Sequence, residues 1–386
     1  MKKIVYFKRA VNVAAFFFLI TFQLNSQIRN LGIWVVRDRV VNKKEIDTFI
    51  NFACENNFTD IFVQVRGRDD AFYNSKIVKK SELIKPPAFD PLQYTITKAK
   101  DKGLRVHAWM NIYFVWSSKE FPWPGHIVLK HPDWCAIDKS CNLAGEYEKI
   151  LYLKNKKEGI FLSPTVSDVN KYLFEVVKEV IGNYDVDGIH FDYIRYPNGN
   201  YDYNPEGRYL FKKRYGFDPL LFTISNKDFL KDIDDVIFDT LLFRWNNFLR
   251  SRITNFVRMV KIYIDTSGYN VSMSAAVKPD PIEARNYYFQ DWINWLEKGY
   301  MDFVVPMNYT KSDRRFEEIA REISSFCGNE KVWMGIAVYN QSEYGAWGKT
   351  LIAIDNEYNN IVYFSYDYLK NRYYILRNVK RLKKRY

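Results

Sequence analysis

Apolar runs of strand length recur eight times along the chain, and helical patterns separate most of them. The first helical pattern opens with the Asn-x-x-Glu capping box of Asn42 and Glu45. Strands that alternate with helices run parallel, and eight of them close a barrel. The pattern therefore predicts the α/β class, as a (β/α)8 TIM barrel. The predicted strands cover residues 31–36, 60–66, 104–111, 186–193, 270–277, 301–308, 332–339 and 360–366.

A single domain over residues 27–386 accounts for this alternation. A doubly wound open sheet is the structural alternative, but no Gly-x-Gly-x-x-Gly follows the first predicted strand. The stretch of about residues 112–165, between the third predicted strand and the next long helix, is an insertion. Within it, we expect residues 131–160 to form a lid or a substrate wall.

The first 26 residues have the order of a secretory signal peptide. Four basic residues within the first nine positions precede an apolar stretch over 11–24, and Ser26 is a small residue before the expected cleavage point. The apolar stretch is short for a bilayer span, so an uncleaved anchor is the alternative. The pattern predicts a secreted or periplasmic protein.

The net charge of +12 is concentrated at the two ends of the chain. The signal segment carries four of these charges, and the last seventeen residues carry eight basic residues and no acid. A nucleic-acid site would spread basic residues along a binding face, so we expect no nucleic-acid partner. The basic C-terminal tail is expected to be solvated and to contact anionic envelope polymers. Cys135 and Cys141 flank a short loop and either pair or stay reduced.

Polar side chains recur on one face of several predicted strands, close to their carboxyl ends. Residues two apart on a strand share a face, and the active site of such a barrel lies at the carboxyl ends of its strands. Each of these residues alone is consistent with a satisfied core group, whereas four strands together predict a site. The residues are Gln64 and Arg66, then His107, Trp109 and Asn111, then His190 and Asp192, and finally Asn308, which Tyr309 follows.

Carboxylates beside aromatic side chains favour sugar chemistry. Glycoside hydrolysis needs one carboxyl group to protonate the leaving oxygen and a second to act as nucleophile or base. Asp192 ends the fourth predicted strand and is our candidate for the ionised group, with Arg66 or Arg195 nearby. Asp70, just past the second strand, is the candidate for the protonated partner, with Asp280 and Glu283 in reserve. Asp187, at the opposite end of the fourth strand, is interpreted as structural.

Several blocks of this sequence resemble one known family. The stretch Val186-Asp-Gly-Ile-His-Phe-Asp-Tyr-Ile-Arg-Tyr-Pro197 closely resembles the fourth-strand signature of the glycosyl-hydrolase-like family 10. Further blocks follow the family's order between about residues 30 and 370. They are Phe62-Val-Gln-Val-Arg66 with Asp70-Ala-Phe-Tyr73, Gly103-Leu-Arg-Val-His-Ala-Trp-Met-Asn111, Leu162-Ser-Pro164, Asp291-Trp292 and Met301-Asp-Phe-Val-Val-Pro-Met-Asn-Tyr-Thr310.

The resemblance implies a secreted or periplasmic barrel that acts on glycans, with bacterial cell-wall polymers as a leading substrate class and no metal or other cofactor. The family's usual Asp-Asp pair after the strand-four His is Asp192-Tyr193 here. A catalytic role that depends on the second Asp of that pair therefore has no counterpart in this chain. The resemblance points to these rim residues: Asp70, His107, Asn111, His190, Asp192 and Asn308.

The sequence leaves three functional hypotheses open. The first is a glycoside hydrolase acting on an envelope or extracellular polysaccharide. The second is a carbohydrate-binding barrel without turnover, since no Glu is firmly placed at the rim. The third is a metal-assisted hydrolase or deacetylase with His107, His190 and Asp192 as ligands. For the first, the expected substrate-binding residues are Arg66, His107, Trp109, Asn111, His190, Tyr193, Arg195, Asn308 and Tyr309. The sugar, the linkage and the oligomeric state stay open.

Overall fold

The computed structural model describes residues 28–118, 120–140, 146–156, 158–222 and 235–383. The predicted signal segment lies outside these residues, as does Cys141, so neither export nor the Cys135–Cys141 pair is tested. Ten strands are present in the described part of the chain. They are β1 (Asn30–Val35), β2 (Asp60–Arg66), β3 (Arg105–Asn111), β4 (Phe114–Trp116), β5 (Ile160–Phe161), β6 (Gly188–Asp192), β7 (Ser272–Val277), β8 (Phe303–Pro306), β9 (Met334–Ala337) and β10 (Asn360–Phe364).

Eight of these strands form one parallel sheet in the order β8-β7-β6-β3-β2-β1-β10-β9. The two ends of the sheet approach each other through parallel bridges that join Val304 to Val332 and Met307 to Gly335. The backbone N–H of Trp333 also donates to the carbonyl oxygen of Val304 over 2.9 Å. The sheet is thus nearly closed into a barrel. The predicted (β/α)8 class is confirmed, and each predicted strand coincides with one strand of this sheet.

Helices follow the strands and cover the outside of the barrel. The predicted cap is present, because the side chain of Asn42 accepts the backbone N–H of Glu45 over 2.9 Å. The helices are α1 (Lys43–Glu55), α2 (Pro91–Lys100), α3 (Ile127–Lys130), α4 (Glu146–Lys154), α5 (Ser167–Asn183), α6 (Pro205–Tyr215), α7 (Asp235–Ser267), α8 (Pro281–Tyr287), α9 (Trp292–Glu297), α10 (Asp313–Phe326), α11 (Glu343–Asp355), α12 (Tyr366–Leu369) and α13 (Tyr373–Lys383).

The interior of the barrel is filled by a compact aromatic layer. Phe303 and Trp333 stack with their ring centroids 4.2 Å apart, and Phe62 lies within 6.3 Å of both rings. Side chains from the strands of such a barrel meet in layers along its axis and form a packed core. This layer fills the barrel below the carboxyl ends of the strands.

The predicted insertion lies between β3 and α5 and has structure of its own. Its strands β4 and β5 pair antiparallel outside the main sheet, with Phe114 opposite Phe161. The rings of these two residues are 5.4 Å apart, and both rings contact Tyr193, which follows β6. The insertion is therefore attached to the carboxyl rim of the barrel through an aromatic contact.

The basic C-terminal segment forms helix α13 as far as residue 383. Its apolar residues Ile375, Leu376 and Val379 are buried, and the helix packs against α11. The basic residues of this segment that the structure describes therefore lie on a helix that packs against the barrel's helical layer. In the part of the chain that the structure describes, none of the helices has the length and apolar character that a membrane span requires.

Candidate active site

A cavity of about 690 Å³ opens at the carboxyl ends of the barrel strands. Its floor is the top of the aromatic core, and its walls come from the loops that follow the strands and from the insertion. Among the residues expected at the rim, Trp109, Asn111, Asp192, Tyr193, Arg195 and Tyr309 line it. The other described lining residues are Trp34, Val36, Arg37, Asp38, Gln64, Arg68, Phe114, Ser117, Glu158, Ala276, Lys278, Met307 and Phe364.

Asp192 is the most deeply placed carboxyl group of this cavity. It is the last residue of β6, is only 8% exposed, and accepts the backbone N–H of Tyr193 over 2.7 Å. Tyr193 itself has φ of 50°, in the left-handed region that L-residues rarely adopt. Burial raises the pKa of Asp192 to about 6, although the Tyr193 N–H and the charges of Arg195 and Lys278 lower it. This carboxyl group is therefore protonated under mildly acidic conditions.

Trp109 places a buried hydrogen-bond donor beside this carboxyl group. The side chain is 4% exposed, and its indole N–H makes no geometrically acceptable hydrogen bond to any described residue. The N–H is nevertheless close enough to Asp192 to lower the pKa of that carboxyl group. Buried donors without an acceptor are rare because they lose hydration without compensation. An oxygen atom of a ligand in the cavity would satisfy this donor.

A second carboxylate enters the cavity from the insertion. Glu158 lies just before β5, and its Oε2 is 3.1 Å from Nη1 of Arg195, with Glu158 39% exposed and Arg195 almost fully buried. Arg195 is held by the rings of Phe161, Tyr193 and Tyr288, whose centroids lie 5.1–5.6 Å from its guanidinium carbon. Arg195 is thus the rigid member of the ion pair, and Glu158 is the member that is open to the cavity.

Lys278 adds a second cation next to Asp192. It follows β7, and its Nζ lies 4.1 Å from the centre of the Tyr288 ring. Burial and the charge of Arg195 lower the pKa of Lys278, against the charges of Glu158, Glu283 and Asp192. Glu158 and Lys278 were both missed by the sequence reasoning. Lys278 lies just past a predicted strand, and Glu158 lies in the insertion, where no strand was predicted. In neither place does alternation along a strand give information on the direction of a side chain.

The sequence of this chain matches one known protein family. The sequence profile described as glycosyl hydrolase-like 10 matches residues 27–341. The chain belongs to this family. The match includes every barrel strand from β1 to β9 and both carboxylates of the cavity.

Two curated relatives carry glycosyl hydrolase names. Glycosyl hydrolase YngK of Bacillus subtilis (strain 168) is 25% identical over 285 residues, which is 69% of this chain and 49% of the relative. Glycosyl hydrolase DigH of Escherichia coli (strain K12) is 22% identical over 316 residues, which is 73% of this chain and 63% of the relative. The matched regions thus span about half to two thirds of these relatives.

Two solved structures show the same fold. The glycoside hydrolase domain of PgaB (BpsB) from Bordetella bronchiseptica superimposes with a TM-score of 0.68 at 12% identity, covering 92% of this chain and 98% of that domain. Alpha-L-fucosidase isoenzyme 2 from Paenibacillus thiaminolyticus gives 0.59 at 14% identity, covering 92% and 49%. At these identities the likeness shows a shared fold.

Both histidines expected at the rim of this family member lie below the cavity. Nε2 of His107 is 2.8 Å from Oδ1 of Asp60, near the amino end of β2. His190 accepts the indole N–H of Trp34 over 3.2 Å, and its Nδ1 lies 2.9 Å from the Ser274 hydroxyl. The prediction that both line the pocket is wrong, because inward-facing residues occupy several layers. Four residues of β3 separate His107 from its carboxyl end, which is about 13 Å.

The metal-site hypothesis is wrong for the same reason. His107 and His190 are engaged by different partners, and neither reaches the cavity that holds Asp192. Across the described residues, no three His, Cys, Asp or Glu side chains come together as metal ligands would.

Arg66 was expected inside the barrel and instead points out of it. The β2–β3 pairing shifts by one residue between Gln64 and Arg66, which is a β-bulge. Because one extra residue exchanges the two faces of a strand, Gln64 enters the cavity and Arg66 turns away. The Arg66 guanidinium bonds to Asp69 over 2.6 Å and to the carbonyl of Ile112 over 3.2 Å. Of the two arginines expected near Asp192, Arg195 therefore lines the cavity and Arg66 does not.

Asp70 and Asn308 also lie outside the main cavity. Asp70 accepts the backbone N–H of Arg68 over 2.8 Å and lies 3.4 Å from Nη1 of Arg37, on the far side of these two arginines. Asn308 is fully buried and donates to the carbonyl of Phe316 over 3.1 Å. The prediction that Asp70 faces Asp192 across one pocket is wrong.

The reserve acids are likewise excluded from the cavity. Asp280 caps helix α8 by accepting the backbone N–H of Glu283 over 3.0 Å, and it pairs with Arg315 at 3.1 Å. Glu283 lies in the first turn of the same helix, away from the cavity wall. Asp187 accepts the backbone N–H of Val106 over 2.8 Å, which confirms its structural role.

A raised pKa alone does not identify the catalytic carboxyl group. Burial raises the pKa of Asp202 to about 6 as well, against hydrogen bonds that lower it. Asp202 accepts the backbone N–H groups of Ile137 and Asn204 over 2.9 and 3.1 Å and the hydroxyl of Ser163, so its lone pairs are engaged within the protein. Asp202 does not line the cavity. Asp192 lines the cavity, so it combines a raised pKa with access to a ligand there.

Proposed function

We propose that this protein hydrolyses glycosidic bonds in an extracellular or cell-envelope polysaccharide, with a peptidoglycan-type glycan as the leading candidate. The observation that carries the proposal is the pairing, in one cavity, of a buried carboxyl group whose pKa is raised to about 6 with a second carboxylate held by an arginine. Two carboxyl groups with different environments are what hydrolysis of a glycosidic bond requires. Family membership supports this proposal.

Asp192 takes the role of general acid. The sequence favoured the opposite assignment, an ionised Asp192 beside Arg66 or Arg195. Arg66 turns away, and burial outweighs the charge of Arg195, so the pKa of Asp192 is raised rather than lowered. The protonated carboxyl group gives its proton to the glycosidic oxygen as the bond from that oxygen to the anomeric carbon breaks.

Glu158 supplies the second carboxylate. It either removes a proton from the water molecule that attacks the anomeric carbon or attacks that carbon itself, after which water releases the sugar. In both routes one water molecule is consumed: its hydroxyl group ends on the anomeric carbon and a proton replaces the one given by Asp192. Arg195 is almost fully buried and fixed, whereas Glu158 is partly exposed to the cavity. The ion pair between them therefore positions Glu158 for this step.

The cavity walls suit a sugar ring. Phe364 lies between Tyr309 and Trp109, with ring centroids 5.7 and 6.4 Å away, and all three line the cavity. Aromatic faces of this kind contact the C–H faces of sugars, and the free indole N–H of Trp109 offers a donor to a sugar oxygen. Asn111 acts indirectly: its amide accepts from Gln64 over 3.3 Å and donates to the carbonyl of Gly67 over 3.0 Å.

The test is release of new reducing ends from a glycan panel that includes peptidoglycan strands freed of peptides. Wild-type protein is compared with Asp192→Asn and with the control Asp168→Asn, whose exposed carboxylate pairs only with Lys171 among the described residues. Removal of a general acid costs about 10²–10⁴-fold in rate. A loss of that size in Asp192→Asn, with none in the control, supports the proposal. Equal rates in all three proteins would exclude Asp192, and no release from any glycan would contradict hydrolysis itself.

A further inference from the structure

A second cavity of about 240 Å³ adjoins the first one and is not used by the proposed reaction. The two cavities meet at Arg37 and Arg68, which line both. The second cavity is formed by the loop between β2 and α2 and by the start of the insertion, which contributes Trp116 and Trp123. We call it the Arg68 cavity.

Positive charge dominates the Arg68 cavity, which is lined by four cationic and two acidic side chains. Arg37 lies 3.4 Å from Asp70, and Lys79 lies 2.6 Å from Glu82. The two acids are thus already paired with cations. Lys80 donates to the side chain of Asn74 and to the carbonyl oxygen of Phe89, both over 2.6 Å, so it stabilises the loop.

Arg68 forms no ion pair with a described carboxylate, and unlike Lys80 its guanidinium is not taken up by carbonyl oxygens of the loop. Its Nε donates to the hydroxyl of Ser117 over 3.0 Å. Burial and the charge of Arg37 lower the pKa of Arg68, and they outweigh the charges of Asp70 and Asp38, which raise it. The two guanidinium groups repel each other at the point where the cavities meet. A bound anion would relieve this repulsion, because it would face both.

The backbone holds Arg37 in this place. Gly67 lies directly against the Arg37 guanidinium, and a Cβ atom at position 67 would overlap with Nη1. The glycine therefore permits the close approach of the two arginines rather than a special turn. Arg37 is tied to the loop by Asp70, but its charge still disfavours that of Arg68, so a bound anion would be favourable beside the two groups.

Aromatic side chains form the other wall of the Arg68 cavity. Trp116 and Trp123 pack edge to face with their ring centroids 5.4 Å apart. The guanidinium carbon of Arg68 lies 5.9 Å from the centre of the Trp116 ring. Trp116 is buried, whereas Trp123 is partly exposed, with Nζ of Lys79 5.4 Å from the centre of its ring. A guanidinium beside an aromatic face matches a ring-shaped ligand that carries an acidic group.

We infer that the Arg68 cavity is a subsite for a sugar residue that bears a carboxylate, with Arg68 as the donor to the carboxylate and Trp123 as the platform for the ring. The inference rests on the proposed glycan hydrolysis, since the subsite continues the cavity that holds Asp192. A monoanion fits better than a dianion, because the carboxylate of Asp70 already lies beside Arg37 and the Arg68 backbone.

Binding of two matched polymers tests the inference. The first is peptidoglycan strands freed of peptides, whose lactyl groups carry carboxylates, and the second is the same strands with these carboxylates reduced to alcohols. Calorimetry on the full chain with Asp192→Asn avoids turnover. We expect the carboxylated strands to bind at least about 10-fold more tightly, which corresponds to about 1.4 kcal/mol. Adding Arg68→Gln should bring the ratio close to one.

Two further variants make this result specific. Arg314→Gln removes one positive charge from an exposed helix surface, where Arg314 pairs with Glu318, and should leave the ratio unchanged. Arg68→Lys keeps the charge but loses the planar pair of donors, so an intermediate ratio is expected. It also replaces Arg68→Gln as the test if the latter fails to fold by circular dichroism.

Equal binding of the two polymers, or an unchanged ratio in Arg68→Gln, would overturn the subsite. Release of reducing ends by the wild-type protein is measured in a separate experiment. Cleavage of both polymers without a carboxylate preference contradicts the subsite alone. A carboxylate preference in binding, without release of reducing ends from any glycan, contradicts the hydrolase and leaves the subsite standing.

Discussion

Oε2 of Glu158 lies 3.1 Å from Nη1 of Arg195, and the same guanidinium lowers the pKa of Asp192. One buried cation therefore links the two carboxyl groups to which the proposed reaction assigns opposite roles. Arg195 cannot rearrange freely, because it also donates to the carbonyl oxygens of Tyr196 and Pro197 over 3.1 and 3.2 Å. Its partner Glu158 is the movable member, and the first prediction concerns it.

Glu158→Gln should lower kcat by about 10²-fold or more, because the variant lacks the carboxylate that activates water or attacks the sugar. The rate is measured on the glycan that the wild-type protein cleaves. Glu175→Gln is the matched control, since Glu175 is an exposed partner of Lys178 on helix α5. Added azide should restore part of the rate in Glu158→Gln by replacing the lost nucleophile. A rate within about 2-fold of wild type would remove Glu158 from the mechanism.

The second prediction concerns pH. Asp192 acts as a general acid only when protonated, and its pKa is raised to about 6, so kcat/KM should fall as the pH rises through about 6. The charge of Lys278 lowers the pKa of Asp192, and Lys278→Met should therefore move this descending limb to higher pH. The measurement is the pH–rate profile of both proteins. A limb that stays in place in Lys278→Met, or activity that rises through pH 6, contradicts the assignment.

The third prediction concerns stability. The folded-state pKa of Asp192 is raised from 3.8 to about 6, so ionisation opposes folding, and stability is lost as the pH rises from 3.8 through 6. The full effect is about 3 kcal/mol. Asp192→Asn should raise Tm at pH 8 and change it little at pH 4. Thermal unfolding of this variant and of Asp168→Asn at both pH values checks the result. A lower Tm at pH 8 would mean that the Asp192 carboxylate stabilises the fold.

The fourth prediction separates the lower layer from the site. Burial raises the pKa of Asp60, but His107 and Arg105 outweigh it and the pKa is lowered overall. His107→Ala removes one partner of this buried carboxylate and should cost about 3 kcal/mol at neutral pH. Denaturant unfolding measures this loss. The difference from wild type should shrink as the pH falls below 3.8, where the Asp60 contribution disappears in both proteins. If the His107→Ala variant is as stable as wild type but inactive, His107 belongs to the active site after all.

The fifth prediction is export. The charged and then apolar order of residues 1–26 should direct the chain across the inner membrane and be removed. Amino-terminal sequencing of protein from the periplasm or medium should start after Ser26. A chain that begins at Met1 and is recovered from the membrane would indicate an anchor instead.

The fold was predictable because the pattern that specifies each strand or helix lies within that segment of the sequence. Each barrel strand is an apolar run, and most are followed by an amphipathic pattern, so the number of strands alone indicated closure. The place of Asp192 was predictable too, since it ends a strand. Its protonation state was not, because burial depends on the residues that the fold brings around it. The sequence shows Arg195 as a neighbour but does not show how little water reaches the carboxyl group.

Depth along the barrel, the β-bulge before Arg66 and direction within loops were not predictable from the sequence. Alternation says which side of a strand a residue faces, but His107 and Asn111 share that side and lie in different layers. Glu158 lies in a loop whose course is set by the β4–β5 pair, and residue spacing carries no record of that pairing. The sequence therefore predicts where the cavity lies, but only the structure shows which residues line it.

The extra residue between Gln64 and Arg66 has an implication for how the site can change. The number of residues at the bulge, rather than side-chain chemistry, determines that Arg68 lines the cavity and Arg66 does not. Substitutions at position 65 keep that count, so they leave Arg66 outside and Arg68 at the junction of the two cavities. Deleting one residue there would exchange the faces in a single step and offer a different cation to the glycan. In this loop, insertions and deletions are a more direct route to a new specificity than substitutions.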